Sequence, residues 1–227
     1  MGIERQNTRR TRLRNVVVLL GTLLIVAITP INTSLSFRHV LEMGIPLALV
    51  IFVPYVLSRY VFKDHVITFH FLNGRRWYRT EILYILATAA VGYLLLPFYF
   101  ASTGTYHNWT VLPGAINLFR LFIGTQALGL WDELFFVNTV LTLLRQHLRF
   151  IWANLIQAVF WTVFLFALGF RSWAPLFIYP LALLQGYIFM RTKSLLYIIT
   201  IHLTLDAVLF LVLFHAYYPA WLPIFVT

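Results

Sequence analysis

Residues 195–214 read LLYIITIHLTLDAVLFLVLF. An α-helix needs about 20 predominantly apolar residues to cross the ~30 Å hydrocarbon core of a bilayer, and this stretch supplies them. It nevertheless carries His202 and Asp206 near its middle. A charged side chain at the bilayer centre costs about 2.5–3.5 kcal/mol on insertion scales, so residues of this kind face a polar interior and mark function. Their i, i+4 spacing puts both on one helix face.

Working outward, further apolar runs occupy Asn15 to about Ile28, about Val40–Val61, Glu81–Phe100, roughly Ile123–Leu144, Phe150–Phe170 and Ala174–Met190. Hydrophobic residues make up 61% of the chain and charged residues 11%. Soluble domains lie near 45–50% and roughly 25%. The expected fold is therefore all-α, a polytopic transmembrane helical bundle of about seven spans. With no cysteine, a disulfide framework, a thiolate metal site and a cysteine nucleophile are excluded.

The net charge of +10 reflects topology rather than nucleic-acid binding. Five arginines (Arg5, Arg9, Arg10, Arg12, Arg14) precede the first run, and Arg59, Lys63, Arg75, Arg76 and Arg79 follow the second. Arg145 and Arg149 follow the fourth, and Arg191 and Lys193 follow the sixth, so 14 of the 17 Lys/Arg fall on one side of a seven-helix arrangement. The positive-inside bias puts the N-terminus in the cytoplasm. The protein is expected in the lipid bilayer as a multi-pass integral membrane protein, in the plasma (inner) membrane if bacterial, with no nucleic-acid partner. Pro30-Ile31-Asn32 is no small-residue cleavage site, so the first run reads as an uncleaved helix rather than a signal peptide.

Four segments follow: a basic tail 1–14, N-terminal helices over 15–113, a core over 114–214 and an interfacial aromatic tail 215–227. Within the second, residues 65–79 place Asn73-Gly74 between β-prone runs, which predicts a small cytoplasmic hairpin. Gly114–Leu144 as one helix would measure about 46 Å, so residues 115–122 are expected near the outer interface.

The core holds a second polar pair, Asp132 and Glu133, in its first span. These lie about 20 and 18 Å along an ideal helix from Arg145, and His202 and Asp206 lie about 14 and 20 Å from Lys193. The two pairs thus reach similar depth from opposite chain directions and predict one polar cavity. Asp132 and Glu133 stand about 100° apart on an α-helix, so one is expected at the bundle centre and the other against a neighbouring helix. A carboxylate there can act as general base on water, and a histidine beside an acid can donate to a developing oxyanion. Carboxylates with one histidine could also hold a divalent metal, but nothing further in the sequence supports one and no cofactor is expected. A proton-coupled transporter would favour inverted repeats and helices broken at mid-depth, and neither is visible.

At these residues the chain resembles the CAAX-protease and bacteriocin-processing (CPBP, or Abi) intramembrane endopeptidases, whose pattern is EExxxR, then FxxxH, then HxxxN or HxxxD. The first motif appears as Asp132-Glu133-Leu-Phe-Phe-Val137 and the third as His202-Leu-Thr-Leu-Asp206. The run Leu184-Gln185-Gly186 to Arg191-Thr192-Lys193-Ser194 is similar to the approach to the last motif. The resemblance implies hydrolysis of membrane-associated proteins or peptides by carboxylate-activated water, with Asp132, Glu133, His202 and Asp206 as catalytic residues. It also departs from the family: Asp132 replaces a glutamate, Val137 an arginine, and Phe164 stands where the second motif has its histidine. Gln157 and Asn138 are the polar residues expected to compensate beside Phe164. The alternative implied by those departures is a weak or inactive member that binds a membrane peptide or partner in the same cavity.

Overall fold

The computed structural model describes residues 2–72, 74, 76–222 and 225, with side chains from residue 11 onward. It is an all-helical polytopic bundle. Helix α1 spans Gly2–Ile28, and α2 spans Phe37–Val56 and ends in a π-turn, Leu57–Val61. Helix α3 covers Arg79–Thr103 and is followed by a 3₁₀ turn, Thr105–Asn108. Helix α4, Ala115–Asp132, runs on through a π-helical stretch, Glu133–Val140, into α5, Leu141–Arg145. Helices α6, Phe150–Leu168, α7, Pro175–Thr192, and α8, Leu195–Tyr217, complete the chain.

Helix ends follow local chemistry. Ser36 and Ser194 accept backbone N–H bonds at the starts of α2 and α8, satisfying donors that have no intrahelical partner. Pro175 opens α7, where its missing N–H costs nothing. Gly104, at φ 65°, closes α3.

Among the described residues, six helical stretches are long and apolar enough to cross a bilayer. The seventh expected span, α7, is less apolar, with Pro180 and Gln185 inside it and Arg191 near its end. Leu24, Phe52, Leu83, Leu94 and Val163 are exposed on the outside of the bundle, the surface that lipid covers. Inside, α8 packs on α3 and α4, and α6 packs on α7. Two buried amides fasten that last pair. Asn154 donates to the Leu183 carbonyl at 2.9 Å, and Gln157 donates to the Ala182 carbonyl and to Asn154 Oδ1, both at 3.0 Å. Gly186 makes room, since a Cβ there would collide with Asn154 Oδ1.

The basic segment 1–14 is helical from Gly2 and continuous with the first span. Where a hairpin is expected, residues 65–72, 74 and 76–78 carry no strand, and Asn73 and Arg75 of its turn lie outside the described residues. The arm instead docks on α8, where Leu195 N–H donates to the His70 carbonyl and Leu196 N–H to the Phe71 carbonyl, each at 3.0 Å. Free N–H donors at a helix start outcompete a two-stranded ladder that would be marginal alone. The arm's beginning is pinned by Asp64, which accepts from Ser58 Oγ at 2.6 Å and pairs with Arg14 at 2.7 Å. Of the aromatic tail, Tyr218 and Trp221 pack together, and residues 223, 224, 226 and 227 lie outside the described set.

Replacing Asn154 with Leu removes two interhelical or bridging bonds and is expected to destabilise the protein by about 1–2 kcal/mol, measured as equilibrium unfolding in mixed micelles.

Candidate active site

The two polar pairs meet. Asp132 ends α4 and Glu133 begins the π-helical stretch, while His202 and Asp206 lie one turn apart on α8. All four are buried, with relative exposures of 1%, 0%, 7% and 8%. His202 Nδ1 stands 3.0 Å from Glu133 Oε1. On the other side of the ring, Nε2 lies 3.8 Å from both Asp132 Oδ2 and Asp206 Oδ1. Both neighbouring acids therefore reach one imidazole, and Glu133 at the same time turns to Gln185 of α7. The chain is π-helical from Glu133, and an i→i+5 turn rotates less per residue than an α-turn.

Close approach of α4 and α8 depends on Gly129. A Cβ there would overlap the Asp206 carboxylate and lie 3.1 Å from the His202 ring. The Glu133 carboxylate also needs donors, because a buried charge without partners is strongly disfavoured. Gln185 of α7 supplies one: its Nε2 donates to Glu133 Oε1 at 2.8 Å and to the Ile198 carbonyl at 3.3 Å. With Nδ1 directed at Glu133, the His202 atom left for chemistry is Nε2.

Trp161 covers the other face. Its ring centroid lies 5.4 Å from that of His202, and it stacks on Phe136 at 5.8 Å. Its indole N–H has no hydrogen-bond partner among the described residues. Gln185 and Trp161 are the site residues that sequence reasoning missed. Gln185 could have been found as an uncharged amide in an apolar helix; Trp161, among so many aromatics, gave no signal.

The three other residues expected here take different places. Phe164 packs on Trp131 at 4.8 Å and Phe136 at 5.7 Å. Gln157 serves the α6–α7 clamp. Asn138 is buried, and its Nδ2 has no partner among the described residues. None of the three lines the cavity that Asp132, His202 and Asp206 share.

Asp132, His202 and Asp206 open onto a cavity of about 360 Å³ whose other walls are apolar, including Val91, Leu96, Phe177 and Leu181. One carboxylate oxygen each of Asp132 and Asp206 has no hydrogen-bond partner among the described residues. Glu133 is absent from the cavity wall. A second cavity of about 410 Å³ lies toward α2, and Trp109, Thr125 and Leu128 line both. Among the described residues no three histidine, aspartate or glutamate side chains are placed to hold a metal ion. The arrangement offers two open carboxylates and one imidazole nitrogen at the end of an apolar chamber.

Gln185→Leu is expected to cost about 1–3 kcal/mol by leaving the Glu133 carboxylate short of a donor, and Gly129→Ala to displace Asp206. Thermal unfolding in detergent checks the first, and the His202 ¹⁵N chemical shifts report the second.

Comparison with curated proteins and with solved structures returned no match. Comparison with family models matched residues 114–208 to type II CAAX prenyl endopeptidase Rce1-like. The matched segment begins at the foot of α4 and includes all four buried acid-base residues. Through residues 114–208 the chain is thus similar to the CAAX-protease family of membrane endopeptidases.

Proposed function

We propose that the protein is an intramembrane endopeptidase that cleaves membrane-associated proteins or peptides. The observation that carries this reading is the meeting of Asp132, His202 and Asp206 at the end of an apolar chamber. A peptide tethered to the membrane reaches such a chamber with its apolar part against the walls. Water beside Asp132 gives a proton to the carboxylate, and its oxygen attacks the scissile carbonyl carbon. The carbonyl oxygen becomes an oxyanion that accepts from protonated His202 Nε2. Asp132 then returns its proton to the leaving amine nitrogen, the C–N bond breaks, and a free acid and an amine result. Glu133 is a positioning residue in this scheme, because it is fully buried and holds His202 Nδ1. Asp206 supports Nε2 from the other side.

One observation favours a second reading, a weak or inactive member that binds the same kind of peptide. Where the second motif has a histidine the chain has Phe164, packed on Trp131, and the Trp161 ring lies beside His202. Losing a positioned acid-base partner commonly costs about 10²–10⁴-fold.

The test is cleavage of a membrane-tethered peptide library by the reconstituted protein. Asp132→Asn is expected to lower the rate by about 10²–10⁴-fold, with binding retained. Equal rates in wild type and variant would remove Asp132 from catalysis, and binding without cleavage in the wild type would favour the second reading.

The positive-inside bias of the Lys and Arg residues supports an N-terminus and an α7–α8 link in the cytoplasm. Because the chain has no cysteine, single cysteines report sidedness without background. His107→Cys is expected to react with an impermeant thiol probe added outside intact cells, and Lys193→Cys only after permeabilisation.

A further inference from the structure

Two cations share a neutral acceptor at one edge of the bundle. Arg145 Nη1 donates to the Met190 thioether at 2.9 Å, and Lys193 Nζ lies 3.6 Å from the same sulfur. Among the described residues no carboxylate pairs with either one. Glu42 pairs with Arg38, Asp64 with Arg14, and Asp132, Glu133 and Asp206 gather at His202; Glu81 caps α3. A weak sulfur acceptor between two like charges leaves them uncompensated. Partial burial first, and the Arg145 charge second, lower the Lys193 pKa from its ordinary value.

The backbone adds an independent observation. Lys193 closes α7 at φ 54°, a left-handed conformation that glycine adopts freely and a lysine does not. A strained residue held in place invites a functional reason for its side chain, and here the side chain brings the second cation to Arg145.

The position selects the ligand. Arg145 is the last residue of one membrane-spanning stretch, and Lys193 lies two residues before another. Both cations are exposed. Tyr187, Leu148 and Leu196, close to them in sequence, are exposed apolar side chains. A phosphate above acyl chains matches that order, and basic pockets between transmembrane helices bind anionic head groups.

We propose that Arg145 and Lys193 form a binding site for the phosphate of an anionic membrane lipid, at the junction of α5 and the α7–α8 link. The headgroup accepts from both cations, and the acyl chains lie along the neighbouring apolar surface. The site is separate from the buried acids and does not depend on the protease reading.

The experiment is native mass spectrometry of the full chain released from bilayers containing equal amounts of phosphatidylglycerol and phosphatidylcholine. The wild type is expected to retain phosphatidylglycerol preferentially, with the preference falling about fivefold for each charge removed in Arg145→Gln and Lys193→Gly. Lys193→Gly relieves the left-handed strain, so its melting temperature should hold or rise, which separates lost binding from lost folding. Equal retention of the two lipids by the wild type, or an undiminished preference in the double variant, would overturn the proposal. Displacement of the lipid by millimolar inorganic phosphate would identify a free oxyanion as the ligand and overturn it also.

Discussion

A carboxylate with no exposed surface inside an apolar bundle must find its hydrogen-bond donors in the protein, and Glu133 finds two. One comes from α7 and one from α8, so a single oxygen of α4's continuation ties three helices together. The desolvation penalty of such an ion is several kcal/mol, and neighbouring features serve to offset it. Gly129 lets α4 and α8 close on each other, and the Gln185 amide spends its two N–H groups on Glu133 and Ile198. The consequence for His202 is a fixed orientation. Its Nδ1 is engaged, and its Nε2 is presented to the chamber together with the two acids that do have access to it.

Much of this was legible in the chain. Runs of about 20 apolar residues located the helices, and a 1.5 Å rise per residue put two acid pairs at one depth before any contact was known. Caps then moved the ends outward, as Ser36 does at α2. The π-helical stretch was not legible, because residues 133–140 read ELFFVNTV and nothing in that composition announces an i→i+5 pattern. The Thr139 hydroxyl donates to the Leu134 carbonyl five residues back, which only the folded turn reveals. The docking of the arm was not legible either: its His70 and Phe71 carbonyls accept from the N–H groups at the start of α8, a tertiary contact that no local signal announces.

The family segment and the chamber do not have the same boundaries. Residues 114–208 supply the acids, the histidine and the helices that hold them. A large part of the wall comes from Tyr84, Ala87, Thr88, Val91, Gly92 and Leu96 of α3, which precedes that segment. Gly92 stands so close to Leu205 that a Cβ would crowd it at 2.8 Å, so α3 is fitted to α8 beside the site. The chamber's shape is thus shared between the matched segment and α3, while the acid-base residues come from the matched segment alone.

The partition between the two cavities has a bearing on their independence. Trp109, Thr125 and Leu128 each line both, so the two chambers share side chains along their common boundary. A change of volume at one of these three positions is therefore felt on both sides, whereas a change at Leu181 or Met43 bears on one chamber alone.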